Sequence, residues 1–434
     1  MIPVPTRRLA LVVALGALVV LALPIDDRLL IVNGILLVVA MADWLLVPRP
    51  DQVGVERELP GVLALGGSGE VVWHVTNPTG RRLRVWLADD LAGSLRAGTR
   101  RIRATIPARG RAEARTTIRP ARRGRFDLAT VTVRVEGPLG LVARQRRLPC
   151  PGLLRVFPPF RSRDEAELRI NKARILEVGL RSAQGRGGGT EFDQLRDYSV
   201  DDEFRRIDWS ATARAGRPIV RTYRAERNQT VILLLDNGRV MAGRVDDVPR
   251  VEHAMDAVMM MTAVATRLGD RCGLVAFDRK VQRVVGPAHG RNQLARVTEA
   301  MYELEPQLAE SDYAGAFAET LGRFRRRAML VILTDLVEQA VGESLLPSLP
   351  LIVRNHLVVV AGVQDPDVVR WAAESPVDAS GAYRKTAAVQ SLDERRRTVA
   401  RLRGLGATVV DAPPGKLAPL LADTYLAVKA TGGL

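Results

Sequence analysis

The sequence predicts a multidomain chain: an N-terminal transmembrane helical hairpin, a β-sandwich-like domain, then an α/β doubly wound domain. Three observations predict it. Two long apolar runs open the chain. Short alternating strand patterns broken by Gly and Pro fill the middle. Near-continuous apolar strands then alternate with helical periods to the end. At 434 residues the chain exceeds one ordinary core. The apolar fraction of 47% excludes a disordered chain.

The hairpin comes first. Residues 9–23 (LALVVALGALVVLAL) and 29–47 (LLIVNGILLVVAMADWLLV) are separated by PIDDR, giving helices over about 9–25 and 29–47 in a unit of residues 1–50. The rival reading is a cleaved signal peptide, after Arg7 and Arg8. No small-residue cleavage site follows, and a second apolar run arrives within five residues. Trp44 suits an interfacial position. Arg7, Arg8, Arg49 and Arg57 flank the outer ends, so the positive-inside rule predicts a two-pass protein of the cytoplasmic membrane with its soluble part in the cytoplasm.

Residues 51–160 read as an arginine-rich β domain of immunoglobulin-like or related type. EVVWHVTNP alternates and turns at Asn77-Pro78, and further strand patterns follow at regular spacing. Eleven arginines and a single acid, Glu113, lie between Arg96 and Arg125. Three readings stand for this patch: a solvated strand face, attraction to anionic lipid headgroups, or nucleic-acid binding. The last lacks interleaved aromatics and any helix-turn-helix or zinc-finger spacing, so nucleic acid is not the expected partner. The net charge of +16 rests on 59 arginines against five lysines. Codon bias explains that ratio but not the sign, which keeps an acidic partner or an anionic membrane in play. Cys150 and Cys272 stand far apart, with no zinc or C-x-x-C spacing.

Residues 161–190 form a connector with a short helix and the glycine-rich SAQGRGGGT, which has no P-loop pattern. The signature region, 191–281, starts with a stretch of interleaved charge. Residues 187–227 hold eight acids and eight arginines, a composition suited to a self-paired arginine–carboxylate lattice. The α/β domain, 228–434, then offers strands at 231–235, 273–277, 281–285, 329–333, 356–360 and 408–410. Helical periods fall at 251–268, 292–304, 313–326, 394–405 and 416–429. VILLLD and MLVILTD are apolar throughout, as central strands covered on both faces should be.

Those two strands end on Asp236 and Asp335, and parallel strands place such ends on one edge, where α/β sheets bind ligands. A third polar cluster, Ser311-Asp312-Tyr313, opens a helix between them. Together Asp236, Ser311, Asp312 and Asp335 make an oxygen set suited to Mg²⁺ or Mn²⁺. Ordinary helix capping is the alternative, and for Asp335 it suffices.

The segment EFDQLRDYSVDDEFRRIDWSATARAGRPIVRTYRAERNQTVILLLD resembles the signature of the domain of unknown function 58 family. The match lies at Glu191, Phe192, Leu195, Arg196, Tyr198, Asp202, Arg206, Ile207, Asp208, Trp209, Ala213, Arg214, Glu226, Arg227 and Asp236. Asp201 departs from it, standing where members usually carry glycine. The resemblance implies a two-helix anchor, a β-rich domain and a von Willebrand factor type A-like domain. It also implies a MoxR-type AAA+ ATPase as partner. Type A domains hold a divalent ion through D-x-S-x-S. Here Gly238 and Val240 replace both serines, and Arg239 places a guanidinium nearby, so the metal site is expected to be degenerate.

The expected function is therefore a non-enzymatic, membrane-anchored adaptor or chaperone cofactor, presenting its type A-like domain to that ATPase or its client. The alternatives are a metal-dependent hydrolase using Asp236, Asp312 and Asp335 with the Asp201/Asp202 pair, and a basic nucleic-acid or anionic-lipid binder. The four histidines are scattered, and neither H-E-x-x-H nor G-x-S-x-G occurs.

Overall fold

A computed structural model describes residues 2–22, 27–183, 191–200, 202, 204–224, 229–337 and 341–430. The chain divides into two compact units, Met1–Phe157 and Pro158–Leu434.

The first unit begins with strand β1 (Ile2–Pro5), helix α1 (Arg7–Ala22) and helix α2 (Arg28–Leu46). The stretch Leu29–Gln52, whose most apolar 18-residue window has a mean hydropathy of 2.3, is long and apolar enough to cross a membrane. Helix α1, at 16 residues, is shorter. The two helices touch where α1 is smallest: a Cβ on Gly16 would lie 3.1 Å from Leu36 and 3.3 Å from Val32. Their outer faces leave Leu11, Leu15, Leu30 and Leu37 exposed.

Near its end, α2 carries a fully buried carboxylate. Asp43 accepts backbone N–H bonds from Leu139 (2.8 Å), Leu141 (2.8 Å) and Val142 (2.9 Å), which ties the helix to the β domain. Gly137 permits this approach, since a Cβ there would fall within 2.4 Å of the Asp43 carboxylate. The next residue, Trp44, stacks under the Arg144 guanidinium at 4.7 Å.

The β domain has strands β2 (Gly54–Glu58), β3 (Val62–Ala64), β4 (Gly69–Thr76), β5 (Leu83–Asp89), β6 (Arg101–Ile106), β7 (Arg111–Ile118), β8 (Gly124–Glu136) and β9 (Val142–Phe157). One sheet runs β1-β9-β8-β5-β6, with β3 beside β9, and the other runs β2-β4-β7. Both sheets face one core, in which Val71, Trp73 and Val75 of β4 join Val85 of β5, Val133 of β8 and Leu154 of β9. Arg57 is not a flanking surface charge. It is buried beside Asp89 at 2.6 Å, and the Trp73 indole donates to the same carboxylate at 2.6 Å. Outward positions on β6 and β7 carry Arg101, Arg103, Arg111 and Arg115, whereas Arg123 is buried. Arg103 stacks on Trp86, and Arg115 pairs with Glu113 and Glu70.

The second unit opens with α3 (Arg163–Ala183), a 21-residue helix where the sequence suggests a short one. The glycine-rich run at 184–190 lies outside the described residues. A small module follows: β10 (Glu191–Asp197) pairs antiparallel with β11 (Ile219–Arg224), and α4 (Trp209–Ala215) lies between them in sequence. The main sheet comprises β12 (Thr230–Asp236), β15 (Arg271–Phe277), β16 (Val281–Ala288), β17 (Met329–Leu333), β18 (Leu357–Val363) and β19 (Thr408–Ala412). The short hairpin β13 (Arg244–Val245) and β14 (Val248–Pro249) stands apart from it.

The sheet order is β16-β15-β12-β17-β18-β19, parallel throughout except for the antiparallel edge strand β16. Alternation along β12 sends Val231, Leu233 and Leu235 into one core and Ile232 and Leu234 into another. Helices Arg250–Arg267 and Leu417–Ala430 cover the first face. Helices Tyr313–Arg323 and Leu346–Val353 cover the second. The helix read at 394–405 extends in fact over Ala379–Gly404. Pro350 sits inside the helix Leu346–Val353, which hides it from a periodicity reading.

Candidate functional site

The C-terminal edge of the sheet gathers the carboxylates picked out in the sequence, but not into a cation shell. Asp236, at the end of β12, is fully buried and has both oxygens engaged. Oδ1 accepts from the Ser311 hydroxyl (2.5 Å) and from Gly238 N–H (2.8 Å). Oδ2 accepts from the Tyr313 phenol and the Thr334 hydroxyl, each at 2.7 Å. Burial first, and the Asp236 charge second, push the Tyr313 phenol well above its ordinary range, so it stays a protonated donor. The sequence places Tyr313 in the polar cluster at 311–313, but Thr334, beside Asp335, was missed.

Asp312 turns elsewhere. Its carboxylate caps the helix Tyr313–Arg323 by accepting from Gly315 N–H at 2.9 Å. Asp335 is held by arginines. Its Oδ1 accepts from Arg395 (2.8 Å) and from Leu336 N–H (2.9 Å), and Arg250 lies 3.2 Å from Oδ2. Arg395 also grips Asp411 through two bonds, at 2.9 and 2.7 Å, and donates to the Val363 carbonyl at 3.0 Å. Burial pulls the Arg395 guanidinium down, but its bonds to Asp411 and the charge of Asp335 outweigh that and raise it. The expected guanidinium from Arg239 is not the one at this edge, because Arg239 pairs with Glu310 on the exposed surface.

Gly238 explains the altered motif. A Cβ there would lie 2.1 Å from Ser311 Oγ and 2.9 Å from the Ala309 carbonyl. The Ser311 hydroxyl thus occupies the volume a serine at 238 would need. These residues do not fit a magnesium ion. Two guanidiniums hold Asp335, and a second cation beside them meets like charge. Among the described residues no group of three or more His, Cys, Asp or Glu side chains gathers to hold a metal.

The signature residues build a separate, self-paired frame. Arg196 on β10 grips Asp202 through two bonds, at 2.8 and 2.5 Å, and Asp202 also accepts from Ser199 N–H at 2.8 Å. Asp208 caps α4 by accepting from the N–H groups of Ser210 and Ala211, both at 3.0 Å, and accepts from Arg221 Nε at 2.7 Å. Arg221, followed by the Ala211 N–H, holds this carboxyl below its ordinary range. Arg217 pairs with Asp197 at 3.2 Å. Tyr198 anchors the module through its backbone N–H to Pro218 O, and Arg214 donates to the Ser210 carbonyl. Arg206 ends a 3₁₀ turn, Phe204–Arg206, and is half-buried with a partner of its own. Glu191 opens β10. Asp201, Glu226 and Arg227 lie outside the described residues.

The sequence singles out Trp209 as a signature residue but not Phe204, and the frame displays both. Phe204 is 67% exposed and Trp209 62% exposed, packed edge to face with centroids 5.6 Å apart. Val200 and Leu195 are exposed nearby in sequence.

Known proteins are similar to parts of this chain. Uncharacterized proteins of Mycobacterium tuberculosis and Mycobacterium bovis are 28% identical over 241 residues, covering 52% of this chain and 74% of theirs. Among solved structures, a protein of unknown function from Porphyromonas gingivalis is 18% identical, over 24% of this chain and 48% of its own, with a TM-score of 0.19. An uncharacterized membrane-spanning protein from Vibrio fischeri is 15% identical, over 47% of this chain and 98% of its own, with a TM-score of 0.20. Likenesses at those scores carry no weight on fold. Residues 194–397, which hold most of the signature frame and both carboxylates of the sheet edge, match the family described as protein of unknown function DUF58.

Proposed function

We propose that this chain is a membrane-anchored adaptor that presents a von Willebrand factor type A-like domain, with its signature module, to a MoxR-type AAA+ ATPase or that ATPase's client. The observation that carries the reading is the exposed Phe204–Trp209 pair on a frame fixed by Arg196–Asp202 and Asp208–Arg221. Large aromatics left in water on a rigid support are what protein interfaces use as anchors. The sheet order supports the fold reading: with strands numbered along the sheet's own sequence it is 3-2-1-4-5-6, a doubly wound arrangement with a reversed edge strand. The self-neutralised carboxylates at the sheet edge favour a binding role over a metal-dependent one.

Anchorage is by α1 and α2 as a two-pass hairpin, with the folded units on the cytoplasmic side. The exposed leucines of both helices and Arg7, Arg8 and Arg49 at their outer ends support this.

Affinity purification of the full chain from membranes tests the proposal. Wild type recovers an AAA+ ATPase, and the F204A/W209A variant loses it. Equal recovery by both, or no ATPase from wild type, contradicts it. Protease accessibility in intact cells tests the orientation: digestion of the folded units from outside contradicts it.

A further inference from the structure

At the end of α2 lies an open cleft of about 450 Å³, lined by Leu45, Leu46, Arg49, Thr79, Gly80 and Arg81 among others, that no role above uses. Its walls differ in chemistry. Leu45 and Leu46 are 64% and 48% exposed and belong to the apolar stretch Leu29–Gln52. Arg49 and Arg81 are exposed, and among the described residues neither has an ion-pair partner. The acid nearest in sequence to Arg49 is Asp51, and its carboxylate is already held by Arg146 at 2.7 Å. Two uncompensated guanidiniums therefore stand beside bare apolar surface.

Both walls are held in place. The buried Asn77 amide donates to the carbonyls of Arg81 (2.8 Å) and Pro107 (2.7 Å), and its Oδ1 accepts from Thr79 N–H (3.0 Å) and Thr79 Oγ1 (2.6 Å). The Asp43 clamp fixes α2 one turn before Leu46. The C-terminal end of a helix disfavours an anion, so the positive character of this cleft comes from the two arginines alone.

We infer that this cleft binds the headgroup of an anionic phospholipid, with Arg49 and Arg81 on the phosphodiester and Leu45 and Leu46 against the start of the acyl chains. The inference rests on the reading that α2 crosses the membrane. The cleft then lies where hydrocarbon gives way to headgroups, and arginines there attract anionic lipid. Its volume falls in the roughly 300–1,000 Å³ range of small-molecule sites. Phosphatidylcholine, whose headgroup carries its own cation, leaves the two guanidiniums with no net gain.

Native mass spectrometry of the full chain released from mixed phosphatidylglycerol and phosphatidylcholine bilayers reads the bound lipid. Wild type retains phosphatidylglycerol over phosphatidylcholine. The R49Q/R81Q variant weakens this roughly 30-fold, about fivefold per arginine. R101Q/R111Q removes the same charge from β6 and β7 and leaves retention unchanged. Gly80→Trp fills the cleft and blocks it, because a Cβ at Gly80 meets no atom within 4 Å and the fold tolerates the change. Equal retention by R49Q/R81Q and wild type overturns the inference, as does an equal loss in R101Q/R111Q. Full displacement of the lipid by inorganic phosphate at equal concentration also overturns it. A carbonate wash separates the two readings. A chain washed off the membrane contradicts the anchor, whereas a retained chain with unselective lipid contradicts the cleft alone.

Discussion

Replacing Arg395 by methionine tests whether the sheet edge is neutralised from within. The change leaves Asp411 without its partner and Asp335, 3% exposed, with Arg250 alone at 3.2 Å. It also strips a donor from the Val363 carbonyl. Removing one member of a buried ion network while leaving the others costs about 3–5 kcal/mol. For a unit the size of Pro158–Leu434 each kcal/mol moves the melting temperature by about 2–4 °C, so the full chain in detergent should melt about 6–20 °C lower. The R395M/D335N/D411N variant removes the stranded charges and recovers most of the loss. Arg370→Gln, which breaks exposed pairs with Asp367 and Glu374, shifts the transition far less. Added Mg²⁺ leaves wild type unmoved, whereas a site filled at 100 times its Kd would add about 2.7 kcal/mol. Melting of Arg395→Met within about 2 °C of wild type refutes the reasoning, and so does stabilisation by Mg²⁺.

Three further outcomes follow from the same geometry. Gly238→Ser, which restores the first serine of the type A motif, forces Ser311 aside; it costs about 1–3 kcal/mol and creates no Mg²⁺ signal by calorimetry, while adding Ser311→Gly recovers stability. Asp43→Ala strands three backbone N–H groups, at roughly 1–3 kcal/mol for each that stays buried; amide exchange at 139–142 should rise sharply, and unchanged protection contradicts the clamp. Burial, then Arg161, lowers the His253 pKa from 6.5, against partial compensation from Val245 O and Asp246 and a further lowering by Arg250. The folded imidazole thus stays neutral while the unfolded chain takes up a proton, so this contribution to stability is complete above pH 6.5 and declines as pH falls through that value. His253→Gln should flatten the pH dependence of the melting temperature below pH 6.5, and an unchanged slope contradicts the assignment.

The strands of the α/β unit were legible because central parallel strands must be apolar on both faces, and VILLLD and MLVIL leave no other reading. Helix Ala379–Gly404 was legible only from Glu394 onward. It is mostly solvent-facing, with Ala388, Thr398 and Leu402 its buried residues, so it shows little apolar periodicity. At the site, the endpoints Asp236 and Asp335 were legible because strand direction sets where they emerge. Their partners were not. Arg395 lies 60 residues beyond Asp335 in sequence, on an otherwise polar helix, and nothing local separates it from its neighbours Arg396 and Arg397. The same holds for Arg57, whose burial depends on Asp89 across the sandwich. The interleaved charge of the signature did announce pairing, as at Arg196–Asp202, Arg221–Asp208 and Arg217–Asp197, but not which partners would meet. Trp209 was singled out but Phe204 and their pairing escaped, because exposure of the two is a property of the folded module.

The most direct test of the adaptor reading places a photocrosslinking amino acid at position 209 in the full chain in its own membrane, with position 377, where Val377 is fully exposed, as control. The reading predicts a crosslink to an AAA+ ATPase from position 209 and none from position 377. No protein adduct from position 209, or the same adducts from both positions, contradicts it.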